Sequence, residues 1–156
     1  MFGELGSAEI ERILRDGQVG RLGITDGEEV YIFPVSYGYD GESAYIVSRL
    51  GLKVRLMRAH PRVCLQVDEI TTPAQWRSVM AHGEYEELTE QAARDTAFDL
   101  IVGQGGSLLP PSLAPYVDGP EVVVVYRIHL QQKSGRYEQD EVFRPLAAPP
   151  CRQNTP

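Results

Sequence analysis

The chain has 156 residues, 42% of them hydrophobic and 24% charged, which suits one globular domain able to bury about 70% of its unfolded surface. Fifteen Lys and Arg against 22 Asp and Glu give a net charge of −7, so the field of the molecule repels nucleic acid and anionic membrane, and neither is expected as a partner. Two cysteines, Cys64 and Cys151, are too few for a disulfide framework or a cysteine-rich zinc site, and the N-terminus lacks a signal-peptide pattern; a cytoplasmic protein is expected.

Ile10, Ile13 and Leu14 stand at helical spacing behind Ser7, a candidate N-cap, so a short helix is expected over 7–16, ended by Asp16-Gly17. Three apolar runs rich in Val, Ile and Tyr follow: VGRLGIT, VYIFPVSYGY and SAYIVSRL, separated by Asp26-Gly27 and Asp40-Gly41. They are too short for ordinary helices and predict three antiparallel strands in a β-meander. Pro34, mid-strand and without an N–H, marks an edge or a distorted position where a ligand can approach the backbone. Residues 51–60 have Leu52, Leu56 and Ala59 at helical spacing, and Pro61 stops this helix. RVCLQVDEI (62–70) and WRSVMAHGEYEEL (76–88) read as strands. Thr89 then caps a helix with the apolar stripe Ala93, Ala97, Leu100 and Ile101, which Gly103 terminates. GQGGSLLPPSLAPYVDGP reads as a loop, and residues 121–137 as a last strand. VVVVYRI in that strand is apolar on both faces, which a second subunit or a covering helix would explain. The fold expected is mainly β, a six-stranded antiparallel barrel or sandwich with short covering helices, formed by residues 1–144 and followed by a flexible tail, 145–156.

The clearest chemical signal is a basic island. Residues 49–62, RLGLKVRLMRAHPR, hold five of the fifteen Lys and Arg and no acid. Lys53 falls in the first turn of the helix beginning near Gly51, where free N–H groups and the dipole already attract anions. A lysine there disfavours the helix and points to an anionic ligand such as a phosphate; a solvated basic face is the plainer explanation. His60, His82 and His129 share no ligand spacing with each other or with the cysteines, so no metal site is expected. Cys64 lies mid-strand in an apolar run and reads as an inert small hydrophobe, and no serine sits in a nucleophile elbow. Tyr31, Phe33, Tyr37, Tyr39, Tyr45 and Trp76 suit ordinary strand packing, or the flanks of a planar ring whose phosphate rests on the basic island.

The element order and four motifs, VGRLGIT, FPVSYGYDGESAYIVS, LGLKVRLMRAHPRVCLQVDE and WRSVMAHGEYEEL, resemble the pyridoxamine 5'-phosphate oxidase-like FMN-binding split barrels, especially the nitroimidazole-resistance-type branch. The third motif is the most specific, and the match spans roughly 5–138. This resemblance implies a six-stranded split β-barrel and a homodimer with FMN at the subunit interface. It implies that Pro34, Val35, Ser36 and Tyr37 approach the flavin ring, that Ser48 stands where some relatives carry histidine, and that Lys53 holds the phosphate. It further implies that Trp76, Arg77, Ser78 and Val79 contribute near the phosphate or ring edge. No catalytic side chain is assigned, because the cofactor would carry the redox chemistry.

The C-terminal Trp and Arg-Leu signature of true pyridoxamine phosphate oxidases is missing, so vitamin B6 oxidation is not expected. The function expected is an FMN-dependent oxidoreductase passing electrons from a small-molecule donor to a small acceptor. A non-catalytic flavin-binding or storage module is the alternative, together with a deazaflavin- or haem-binding member of the same fold.

Overall fold

A computed structural model describes residues 1–105 and 123–140 of the chain, with the side chains of 104 and 105 excepted. Of the loop expected over 103–120, residues 103–105 belong instead to the last helix and the rest lies outside the described residues, as does the expected 145–156 tail. Eight strands and three helices follow in the order β1 (Phe2–Glu4), α1 (Ser7–Asp16), β2 (Val19–Thr25), β3 (Val30–Ser36), β4 (Gly38–Tyr39), β5 (Ser43–Arg49), α2 (Leu52–Ala59), β6 (Arg62–Thr72), β7 (Gln75–Glu87), α3 (Gln91–Gly105) and β8 (Val123–Gln139). The two strands beyond the six expected are the three-residue β1 and the two-residue β4.

All strand pairs are antiparallel, in the order β3-β2-β6-β7-β8-β5-β4, with β1 added beside the far end of β8. The 17-residue β8 is long enough to pair with β7 along its length and with β5 and β1 in succession on its other edge. The expected opening meander is therefore broken. β2 and β3 form a hairpin, whereas β5 pairs with β8 and with the short terminal strand β4, next to the opposite end of the strand order. The gap between β3 and β5 is the split in the barrel, and Pro34 lies on its edge strand as expected.

The β2–β3 and β4–β5 turns use one device. An Asp carboxylate oxygen accepts two N–H groups ahead of it, Asp26 from Glu28 and Glu29 and Asp40 from Glu42 and Ser43. The following Gly27 and Gly41 take φ of 98° and 103°, which a side chain would disfavour.

Alternation sorts the strands' side chains onto two faces. Leu22, Ile24, Val35, Ile46, Leu65, Val67, Val79, Ala81, Tyr126 and Ile128 fill the barrel with α1 and α2 closing it through Ile13, Leu14, Val54 and Met57. A second cluster, Tyr45, Val47, Val125, Ala97 and Ile101, sits between β5, β8 and α3. β8 is apolar on both faces here because α3 covers its outer side, the second of the two explanations the sequence allowed.

Three expected boundaries shift. Gly6, not Ser7, caps α1 and makes no side-chain bond. Glu90 rather than Thr89 stands at the start of α3, since its carbonyl accepts the Arg94 N–H. Gly103 does not end α3, which runs to Gly105. No described helix is long and apolar enough to cross a membrane.

Candidate functional site

The split opens a cleft of about 530 Å3 lined by Phe33, Pro34, Val35 and Ser36 of β3, Ile46, Val47, Ser48 and Arg49 of β5, and Gly51, Leu52 and Lys53 at the start of α2. The volume falls within the usual range for a small-molecule or cofactor site. Three segments distant in pairing order meet here because β5 leads directly into α2, which swings back across the open edge beside β3.

Two features of this cleft are costly without a ligand. Lys53 is half-buried, and burial alone pulls its ammonium below the ordinary lysine value. Among the described residues no carboxylate pairs with it; its Nζ lies 5.7 Å from the centroid of the Phe33 ring, a weak cation–π contact. Around it, α2 starts at Gly51 with neither a side-chain cap nor an acid in the first turn, so its leading N–H groups and positive dipole end add to the field of Lys53. An anion is the missing partner of both.

The second feature is polar and deeper. Ser48 is 8% exposed, faces the barrel interior, and its Oγ has no hydrogen-bond partner, as is true of the buried Tyr126 hydroxyl. A buried hydroxyl left unmatched costs roughly 1–3 kcal/mol, so a donor or acceptor supplied from the cleft would be favoured.

The pyridoxamine 5'-phosphate oxidase family model matches residues 6–137, from α1 through nearly all of β8. The chain belongs to this family. A FAD-binding protein from Mesorhizobium loti of known crystal structure is 31% identical, with a TM-score of 0.73 over 89% of this chain and 99% of that one. A candidate 5-nitroimidazole antibiotic resistance protein from Bacteroides thetaiotaomicron shares the fold at 21% identity and TM-score 0.71, over 88% and 87% of the two chains. An uncharacterized protein of Rhizobium meliloti is 27% identical over 135 residues, 82% of this chain and 89% of its own.

Of the residues that the family resemblance singled out, Pro34, Val35, Ser36, Ser48 and Lys53 are brought together in the cleft. Tyr37 is turned away from it: its buried hydroxyl donates to the Leu14 carbonyl at 2.7 Å and ties β3 to α1. The second group lies elsewhere on this chain. Trp76 and Ser78 line a smaller hollow with Gln66, Met80, Ser134, Gly135 and Arg136. Arg77 pairs with Glu9 at 2.8 Å, and Val79 is fully buried in the core.

None of the three histidines lines the cleft, and no metal-binding cluster occurs among the described residues. Cys64 sits on the outer sheet face opposite His82, with its thiol pushed up by burial, as suits an inert side chain. Sequence reasoning missed Ile46 and Val47 as lining residues, although their place two and one positions before Ser48 on one strand was a usable signal. It also missed Tyr126, for which only the β5–β8 register is informative.

Proposed function

We propose that this chain is a flavin-binding protein that holds FMN in the β3–β5–α2 cleft, acting as an oxidoreductase on a small electron acceptor, with a second copy of the chain covering the cleft. The observation that carries this reading is the uncompensated Lys53 at the uncapped start of α2, in the same cleft as the orphaned Ser48 hydroxyl. Those groups fit a flavin: Lys53 and the α2 N–H groups suit the phosphate, Ser48 a polar atom, and Phe33, Val35 and Ile46 an apolar ring system. The FAD-binding relative from Mesorhizobium loti supports the flavin class, since FMN and FAD share the ring and the first phosphate.

Bound flavin would supply the electron chemistry. The chain's own tasks are narrower. Lys53 neutralises the phosphate, the β3 and β5 side chains exclude water, and Ser48 offers a hydroxyl. Among the described residues no carboxylate or histidine lines the cleft, and this lining favours the second reading, a flavin-storing or flavin-sensing module.

The case for a second copy rests on the outer sheet face. Pro34, Arg21, Gln66 and Met80 are successive partners across β3, β2, β6 and β7. Around this row the same face exposes Val19, Val30, Ile32 and Ile70. Apolar surface of this extent, continuous with the rim of the cleft, suits a protein partner. The charge and cysteine count keep a cytoplasmic setting as the expectation.

The deciding measurement is the visible spectrum of purified protein after FMN addition and removal of excess, with any released chromophore identified on denaturation. We expect a retained flavin spectrum. Protein that takes up neither FMN nor FAD overturns the reading, and a deazaflavin or Soret signature would reassign the ligand. Reduction by NADH or NADPH with turnover of an acceptor separates the enzyme from the storage module.

A further inference from the structure

Tyr126 presents a problem that the fold alone does not solve. It is fully buried in the barrel, and its hydroxyl makes no well-formed hydrogen bond among the described residues, although Ser48 lies close enough to act on it. Its ring is fixed by Tyr85, with centroids 5.1 Å apart. The Tyr85 hydroxyl is engaged elsewhere: it donates to Glu87 at 3.0 Å, and Glu87 in turn is held by Arg58 at 2.6 Å. On the same inner face, Ile46 is the direct register partner of Tyr126 and Ser48 that of Val124. Ser48 is therefore the diagonal neighbour of Tyr126, within side-chain reach.

The second orphaned hydroxyl of the structure is thus beside the first, and only Ser48 borders the cleft. Two unmatched buried hydroxyls at one point are a rare expense in a native core. Rotation about the Ser48 and Tyr126 C–O bonds can satisfy at most one proton and one acceptor between them, so a third polar group is needed to complete the chain.

We infer that Tyr126 is a positioning residue for the ligand of the cleft: its hydroxyl donates to Ser48 Oγ, which fixes the Ser48 proton toward a polar atom of the bound flavin. The inference rests on the flavin reading above. Both hydroxyls are then satisfied only in the loaded protein. Tyr126 orients Ser48 without touching the ligand, and the Tyr85–Glu87–Arg58 series holds the phenol in place.

Tyr126→Phe removes the hydroxyl and little else, and its two consequences have opposite signs. The flavin-free protein should melt at a higher temperature, since an unmatched buried group is gone. Affinity for FMN should fall about tenfold, with a shifted visible spectrum for the flavin that binds. Ser48→Ala should lose a similar factor, and the double variant should bind no worse than Ser48→Ala alone, because the pair acts as one unit.

A Tyr126→Phe protein with unchanged affinity and spectrum would overturn the inference, as would single-variant losses that multiply in the double variant. A lowered melting temperature together with lowered affinity would show a packing role instead. Wild-type protein that takes up no flavin would defeat the flavin reading and this one with it, whereas wild-type binding beside an indifferent Tyr126→Phe defeats this one alone.

Discussion

At Lys53 the interests of folding and of binding conflict. Burial holds its ammonium below the ordinary value of 10.5, so the folded state binds this proton more weakly than the unfolded chain does. The sign follows: the penalty is present in full at neutral pH and fades as pH rises through the folded value toward 10.5. Lys53→Met should raise the melting temperature of the flavin-free protein near pH 7 and lose that advantage in alkaline buffer. The same change should weaken FMN binding about tenfold, as for loss of a hydrogen bond to a charged group. Melting curves across pH with parallel flavin titrations check both, and a variant that binds normally would remove Lys53 from the site. This residue was legible in the sequence because its signal is local: a basic island without acids and a lysine in a first helical turn. Ser48 and Tyr126 carry no such signal, since what makes them unusual is a cross-strand register between residues 78 positions apart.

The elements themselves were legible from period and punctuation, and their ends less so. Gly6 in place of Ser7 and Glu90 in place of Thr89 show why: the cap position is set by where the first carbonyl is accepted, and a good capping residue one step away does not oblige the helix to use it. The break between β3 and β5 was not legible at all, because pairing of β5 with β8 is decided by a segment far along the chain. Packing of α1 onto the barrel depends on another long-range group. Lys133 of β8 donates to Glu11 and to the Tyr39 hydroxyl, both at 2.6 Å, and Tyr39 donates to Glu11 at 2.6 Å, which joins α1, β4 and β8. Burial opposes both charges, yet Lys133 and Tyr39 together draw Glu11 below its usual value, and Lys133 is raised. Lys133→Met should destabilise the protein by about 1–3 kcal/mol at pH 7, mostly by leaving half-buried Glu11 with only the Tyr39 hydroxyl and the more distant charge of Arg15. A depressed carboxylate contributes above its unfolded value of 4.5 and is lost as pH falls through the folded one. Denaturant unfolding should therefore show the gap between wild type and variant closing below pH 4.5. A constant gap would assign the loss to packing of the lysine stem instead.

Over the described residues, the barrel has one face covered by a helix and one left without such a cover. α3 spreads over β5 and the start of β8, whereas the outer faces of β3, β2, β6 and β7 leave Val19, Val30, Ile32, Ile70 and Met80 exposed. The bare face adjoins the cleft at β3, and the net charge of −7 makes two copies repel at long range, so any dimer must be held by short-range apolar burial. Ile32 isolates that term. It is 68% exposed on a single chain and does not line the cleft, so Ile32→Lys costs the fold little and, by reducing the negative charge, even weakens the repulsion between copies. If the bare face is where a second copy docks, this variant should sediment as a monomer at micromolar concentration while the wild type sediments as a dimer. Its flavin affinity should fall in step, because the copy that covers the cleft has left. A variant that stays dimeric would move the interface to another surface. One that becomes monomeric but binds FMN as tightly as wild type would show that the cleft of a single chain, with Lys53 and Ser48, suffices to hold the cofactor.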